Sequence, residues 1–513
     1  GGGGGGGRRS GGAERAPGGA APFEPPGGDR YPEYRSGEYA SPPLDPSAKE
    51  ESDSLARGRR THVRNALRHA WEGYRSHAFG CDELSPLSGK CQNNWGGLGN
   101  TLVDSLSTLW VTGLKEEFYE GRDWVRDELR YDRGASVGKK SVSVFETTIR
   151  NLGGLLGAFD LSGDDAFLKK ADELGGRLMK AFDSRNGIPY GEVELIKDGN
   201  AYNAQWHSKY AVLSEFGTMQ LEFRYLAKVT GKVDYKRKAM KVLDLMSNMK
   251  PNDGLYPIYV TTDTVKPEFG SNKLSMGAMG DSFYEYLLKV WLQGGKLMRE
   301  NKYRDMYERA MDGMIDKLVK TSPKGGYTYV GESTNGNVAS KMDHLSCFLG
   351  GNLALGAYHH PDGFRSPKAQ RDLKLGKALA YTCYQMYAQS NSGLAPEYVT
   401  FSPARDFTAS GGNSYYLLRP ETSETLYILH TITGDPIYRE WGWEIFRAIE
   451  RYSKTDLAYA TLPNVSNPNQ TKDDKMESFF IAETLKYLYL LQDPDSEIDI
   501  LEKHVFNTEA HPL

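Results

Sequence analysis

The feature that most constrains the fold of this chain is a helical hairpin repeated with the same punctuation. Leu161-Ser162-Gly163 is followed by Phe167 and Ala171, Val229-Thr230-Gly231 by Tyr235 and Ala239, and Ile432-Thr433-Gly434 by Tyr438 and Gly442. In each case a glycine stops one helix and an aromatic ring falls on the first turn of the next. Around these turns, apolar residues three and four apart predict helices over 60–78, 98–118, 146–161, 165–182, 204–229, 234–249, 278–293, 302–320, 343–358, 367–389, 420–432, 436–452 and 475–491. Strand-like runs, such as 327–330 and 398–401, are short and sit between them.

Hairpins used in this way over residues 59–513 build either an open superhelix or a closed toroid of inner and outer helices. The 57 glycines and the long polar loops carrying aromatic residues favour the toroid, because loops gathered at one end can form a pocket. Residues 1–58 read differently. Thirteen of the first 28 are Gly, and the rest adds Pro, Ser and Arg without apolar periodicity, so this part is expected to be a disordered stem.

The 63 basic and 67 acidic residues leave a net charge of −4, which argues against a nucleic-acid or anionic-membrane binder. No apolar run reaches the ~20 residues needed to cross a bilayer, so any membrane attachment is expected to come from an anchor upstream of residue 1. Cys81, Cys91, Cys347 and Cys383 have neither zinc nor redox spacing, and their even number permits two bridges. With the sequons Asn464-Val-Ser and Asn469-Gln-Thr, they fit a secretory compartment.

Charged residues embedded in apolar helices mark where chemistry could lie, because an unpaired buried charge is costly. Taken singly, each has an ordinary explanation. Glu146 and Arg150 are four apart, as in a surface ion pair. Asp281 reads as a helix N-cap, and Glu421 and Glu424, after Pro420, suit the positive end of a helix dipole. Glu215 and Glu222 share a face, and Glu477 and Glu483 lie inside an apolar helix. Together, acids at the starts of successive inner helices would converge on the axis of a toroid. An acidic, aromatic-lined pocket suits sugar hydrolysis, which needs a proton donor and a carboxylate to activate water, and it suits a divalent cation.

At these residues the sequence resembles the family 47 glycoside hydrolases, the class I α-1,2-mannosidases that trim high-mannose N-glycans. The resemblance runs over residues 60–513. It rests on Ala70-Trp71-Glu-Gly-Tyr74, Leu102-Val-Asp104-Ser-Leu, Ser143-Val-Phe-Glu146-Thr-Thr-Ile-Arg150, Gly280-Asp281-Ser-Phe-Tyr-Glu-Tyr, Lys341-Met-Asp-His344-Leu-Ser-Cys347, Leu418-Arg419-Pro-Glu421 and Phe506-Asn-Thr508-Glu509-Ala-His-Pro512. The resemblance implies an all-α (α/α)7 barrel of helical hairpins, closed at one end by a C-terminal β-hairpin, and hydrolysis with inversion. Glu146 then corresponds to the general acid, acting through a water, Glu421 to the general base, and Asp281 to a third essential carboxylate, with the proton donor left open between Glu146 and Asp281. Thr508 corresponds to the one direct protein ligand of a Ca²⁺ ion. Glu215, Glu424, Glu483 and Glu509 correspond to residues that hold water around that ion or the substrate, and Arg150, His344, Arg419 and Phe479 to sugar-site residues.

The resemblance also implies a Cys347–Cys383 disulfide. Cys81 and Cys91 lie outside its pattern and are expected to close a second, short loop. Met279 stands two residues before Asp281, where endoplasmic-reticulum members that stop after one mannose tend to carry Arg. An uncharged side chain there implies broad trimming of Man9 towards Man5 by a monomer in the secretory lumen, in the Golgi rather than the endoplasmic reticulum. Three other readings stand beside this one. One is a mannose-recognising, lectin-like relative with weak hydrolysis, and another an endoplasmic-reticulum-type enzyme that stops at Man8. The third is an all-α diphosphate-processing synthase, for which Asp473-Asp474 is the only acid pair.

Overall fold

The computed structural model describes residue 35 and residues 46–132, 137–138, 140–207, 209–249, 251–409 and 411–513. Among the described residues are fourteen long helices: α1 Pro46–Ala78, α2 Asn100–Val111, α3 Lys115–Asp127, α4 (144–162), α5 Asp165–Leu178, α6 Gln220–Thr230, α7 Val233–Met249, α8 Asp281–Gln293, α9 Asn301–Lys317, α10 Phe348–Tyr358, α11 Pro367–Ala388, α12 Glu421–Thr433, α13 Ile437–Tyr452 and α14 (480–491).

Burial sorts them into two rings. The even-numbered helices are enclosed on all sides, as in α8 from Ser282 to Trp291 and α12 from Thr422 to Leu429. Odd-numbered helices expose one side, as in α3, which buries only Phe118, Gly121 and Val125; α11 is the exception, buried continuously from Gly376 to Ala388. Each even helix packs on the next, and α14 touches α2, so the inner ring closes. The outer ring closes where α1 packs on α13 and α14. This is the expected (α/α)7 barrel.

The repeated turn is its joint. Gly163, Gly231 and Gly434 end α4, α6 and α12 with φ of 68°, 73° and 69°, a left-handed conformation that glycine adopts without strain. Phe167, Tyr235 and Tyr438 then bury themselves on the first turn of the outer helix. These joints are tight, whereas the connections into the inner helices are long. They carry short antiparallel strands, among them β1 Tyr210–Val212 paired with β2 Tyr259–Thr261. The long loops therefore gather around the N-terminal ends of the inner helices.

The other end is plugged by the expected C-terminal hairpin. Leu513 N–H donates to the Val505 carbonyl (3.1 Å) and Asn507 N–H to that of His511 (3.0 Å). The Asn507 amide reaches the Ile149 carbonyl of α4 (2.9 Å) and Glu222 of α6 (2.8 Å), pinning the hairpin between inner helices. Both disulfides form: Cys81–Cys91 closes a rim loop and Cys347–Cys383 ties the start of α10 to α11. Among the described residues no helix is long and apolar enough to cross a membrane.

Several expectations need correction. The stem does not extend to 58, because α1 begins at Pro46; Ala56 is buried and Asp53 pairs with Arg439 of α13 at 2.8 Å. Arg35 apart, residues 1–45 lie outside the described residues. The helix expected over 98–118 is two, broken at Gly113 (φ 72°), and α3 was missed because its apolar stripe is so narrow. In 204–229 the chain forms β1 and a short turn, Leu213–Phe216, before α6 begins.

Candidate active site

The inner helices start at the loop-rich face, and three of them begin with an acid. Glu146 lies at the start of α4, with its N–H capped by the Ser143 hydroxyl (3.2 Å); Asp281 and Glu421 are the first residues of α8 and α12. All three line one cavity of about 910 Å³, counting its open mouth, with Arg150, Met279, Arg419, Glu424, Phe479, Glu483, Thr508 and Glu509. The structure thus brings together most of the residues singled out from the sequence. Two helices widen to π geometry here, Thr147–Leu152 with Arg150 and Phe480–Thr484 with Glu483. Such bulges re-aim side chains and gather at functional sites.

Glu215 and His344 stand behind the lining. Glu215, on the Leu213–Phe216 turn, is pushed up to about 7 by burial and by the charges of Glu146 and Glu192. His344 is 1 % exposed; its Nδ1 meets Glu421 and its Nε2 meets the Tyr387 hydroxyl, both at 2.8 Å. It orients Glu421 from behind.

Two of the three acids are shifted in opposite directions. Burial alone would raise Glu421, but the His344 hydrogen bond and the Arg419 guanidinium hold it below the usual carboxylate range. Burial and the charges of Glu421 and Glu285 push Asp281 up to about 7, against the opposing Ser282 N–H. Glu146 is held by Arg150 Nε at 2.8 Å. Arg419 grips Glu397 with two bonds of 2.7 Å. The Phe479 ring has the Arg150 and Arg419 guanidinium groups at 5.4 and 5.9 Å, a cation–π arrangement that fixes both.

One wall of the pocket is closely hydrogen-bonded. Arg150 also binds Glu509 (2.7 Å) and Ser478 (3.0 Å), and Ser478 donates to Asp104 (2.5 Å). Burial lowers His511 to about 4, so its neutral ring meets Asp104 at 3.0 Å and Ser107 at 2.9 Å. The opposite wall is more loosely bonded. Thr508, at the tip of the hairpin, donates to Glu285 (2.7 Å), which shares Lys289 with Glu424 (2.5 and 3.8 Å). Burial and neighbouring acids raise Glu424 to about 8 and Glu483 well above its usual range.

Sequence reasoning gave no role to Asp104, Ser478, Lys289 or Glu397, and it left Glu285 and Glu222 undecided. Lys289, four residues after Glu285, was the signal for a buried ion pair on α8. Glu222 is structural, bonded to Tyr286 (2.6 Å) and Asn507. Asp474 accepts the backbone N–H groups of Leu87 (2.7 Å) and Ser88 (3.2 Å), so the candidate diphosphate pair caps a loop away from the cavity.

Around Thr508 the donors are all oxygen and the acids outnumber the cations, which fits a hard ion. Among the described residues no three acidic, His or Cys side chains stand close enough to hold a metal jointly. Thr508 would therefore hold a cation with its own oxygens, and Glu285, Glu424, Glu483 and Glu509 would hold the waters around it.

Comparison with known proteins agrees with this geometry. The chain is 44% identical over 482 residues to mannosyl-oligosaccharide 1,2-alpha-mannosidase MNS1 of Arabidopsis thaliana, covering 94% of this chain and 83% of the relative. It is 41% identical over 502 residues to the human endoplasmic reticulum mannosyl-oligosaccharide 1,2-alpha-mannosidase, covering 96% and 69%. An alpha-1,2-mannosidase from Trichoderma reesei superposes with a TM-score of 0.80 at 29% identity, over 89% of this chain and 98% of that one. The model of glycosyl hydrolase family 47 matches residues 66–513, from within α1 to the C-terminal hairpin that carries Thr508, and the chain belongs to that family.

Proposed function

We propose that this glycoside hydrolase is a Ca²⁺-dependent, inverting exo-α-1,2-mannosidase that trims high-mannose N-glycans. The observation that carries the reading is the opposed poise of two acids in one pocket, with Glu421 held ionised and Asp281 raised to about 7. Glu421 takes a proton from a water as its oxygen attacks the anomeric carbon. The glycosidic bond breaks on the opposite face of the ring, and the leaving oxygen receives a proton. Of the two candidate donors, burial favours Asp281 as the group that holds a proton near neutrality, while Glu146 is paired with Arg150. Arg150, Arg419 and Phe479 hold the sugar. A calcium ion at Thr508 would supply positive charge and coordination sites for sugar hydroxyls.

Met279 in the mouth supports removal of several mannoses, Man9 towards Man5, and supports the Golgi over the endoplasmic reticulum. Two disulfides and the sequons at Asn464 and the exposed Asn469 support a secretory lumen. The test is hydrolysis of an α-1,2-linked mannose disaccharide with and without a calcium chelator, followed by a time course on Man9. Turnover that the chelator abolishes, with products passing through Man8 to Man5, is expected. Binding without turnover would favour the lectin-like reading, and accumulation of one Man8 isomer would overturn broad trimming.

A further inference from the structure

At the end of the barrel opposite the sugar pocket, the last turns of α6 and α8, the start of α7 and the turn before α9 enclose a cleft of about 1550 Å³, counting its open mouth. The chain leading into the C-terminal hairpin borders it on one side. Its charge is one-sided, with six Lys and Arg side chains against Glu300 and Glu502. Arg224 is buried and bonded to Glu300 at 3.0 Å, and Lys296 stands 4.0 Å from Glu502. Lys228, Lys236, Arg299 and Lys503 are exposed and have no carboxylate partner among the described residues. Burial and the charges of Lys296 and Arg304 lower the nearby His359 to about 4, so its ring adds no charge. A net charge of −4 over the whole chain conceals this local excess.

Apolar side chains stand out among these cations. The turn from α8 to α9 carries Lys296-Leu297-Met298-Arg299, with Met298 87 % and Leu297 42 % exposed, and Val233, at the start of α7, is 74 % exposed on the cleft wall. The turn is built to hold them out. Gly295 and Lys296 are both left-handed, with φ of 74° and 59°, a conformation that costs energy for lysine. Lys296 N–H donates to the Trp291 carbonyl (3.0 Å) and Glu300 N–H to that of Leu297 (2.8 Å). Gly294 lies so close to the Glu300 carboxylate that a Cβ there would collide with it. A free anion in solution would be served by the cations alone. Exposed Met, Leu and Val beside unpaired Lys and Arg match the boundary of a bilayer, where acyl chains take the apolar tips and headgroup phosphates take the charges.

We propose that this closed end of the barrel docks on an anionic phospholipid surface, with Val233, Leu297 and Met298 at the headgroup boundary and Lys228, Lys236, Arg299 and Lys503 on lipid phosphates. The sugar pocket then faces away from the bilayer, since it opens at the other end of the inner helices. The docking does not depend on which glycan the pocket hydrolyses.

The test sediments the full chain with vesicles of phosphatidylcholine alone or with roughly 30 % phosphatidylserine, in calcium-free buffer. Wild type should bind only the anionic vesicles, and raising salt from about 0.05 M to about 0.5 M should release it. Removing two cations, in the double variant Lys236→Gln with Arg299→Gln, should weaken binding roughly tenfold or more. Met298→Ser, which leaves every charge in place, should weaken it roughly three- to fivefold. These side chains are exposed, and the melting temperature of each variant should match wild type, which separates a docking defect from a folding defect. Equal binding to both vesicle types, or binding to neither, would overturn the proposal. Undiminished binding by Met298→Ser, with full competition by free pyrophosphate, would mark a site for a soluble anion and overturn it too.

Discussion

On the wall built by α2, α4 and the C-terminal hairpin, Arg150 sits among Glu146, Glu509 and Asp104, and Asp104 is completed by Ser478 and His511. On the wall built by α8, α12 and α14, Glu285, Glu424 and Glu483 have Lys289 between them. Both walls are buried and each sets three acids around one cation, so the difference lies in how the acids are bonded. On the first wall Glu146 and Glu509 bond Arg150 directly and Asp104 is held by Ser478 and His511, so that the chain itself completes it and positions Glu146. On the second, Lys289 bonds Glu285 but stands 3.8 Å from Glu424, and folds tolerate loosely paired buried acid where a cation or a proton is to be held. Loosely bonded acid, more than charge as such, marks where this pocket expects something from outside.

The largest effect should come at the junction of the walls. Glu421→Gln keeps the shape of the base but cannot take a proton from water, so turnover should fall roughly 10³-fold while glycan binding survives. Hydrolysis and binding assays on one preparation check this, and near-normal rates would remove Glu421 from the role of base.

The walls themselves should respond oppositely to neutral substitutions. Asp104→Asn takes the charge from the buried acid that Ser478 donates to and His511 meets, and should cost about 3 kcal/mol in denaturant unfolding. Glu483→Gln, in calcium-free buffer, should leave stability unchanged or raise it, because it relieves repulsion from Glu509, Glu421 and Glu424. Equal losses in both variants would break the comparison. A smaller effect belongs to the ion: calcium at about a hundred times its dissociation constant should add ~2.7 kcal/mol to wild-type stability and far less to Thr508→Ala.

The smallest effect is that of pH. The base must be ionised and the acid protonated, so kcat/KM should fall on the acid side as Glu421, held below the usual range, takes up a proton. It should fall again above about 7, the value of Asp281, by roughly tenfold per pH unit. A profile still flat at pH 9 would remove Asp281 from the acid role.

The sequence revealed the barrel wherever a helix shows water on one face. The Gly163, Gly231 and Gly434 joints were legible because a left-handed stop followed by an aromatic is a local signal. It failed where burial is complete. Leu345 in 343–347 and Met476 and Phe479 in 475–479 carry the helical spacing backwards, yet α10 starts at Phe348 and α14 at 480. At the mouth, Glu146, Asp281 and Glu421 were legible as acids at helix starts, and their roles only through the family pattern. Asp104 and His511 were legible only as members of that pattern, and Ser478 was not marked by it, because what joins them is a fold contact across more than 370 residues. The π turns around Arg150 and Glu483 leave no mark in residue spacing.

The most direct test of the central claim follows the anomeric proton of the first mannose released, by NMR, before mutarotation. With Glu421 activating water across the ring from the breaking bond, β-mannose should appear first, in wild type with calcium and in neither Glu421→Gln nor chelated enzyme. Initial α-mannose would contradict the account.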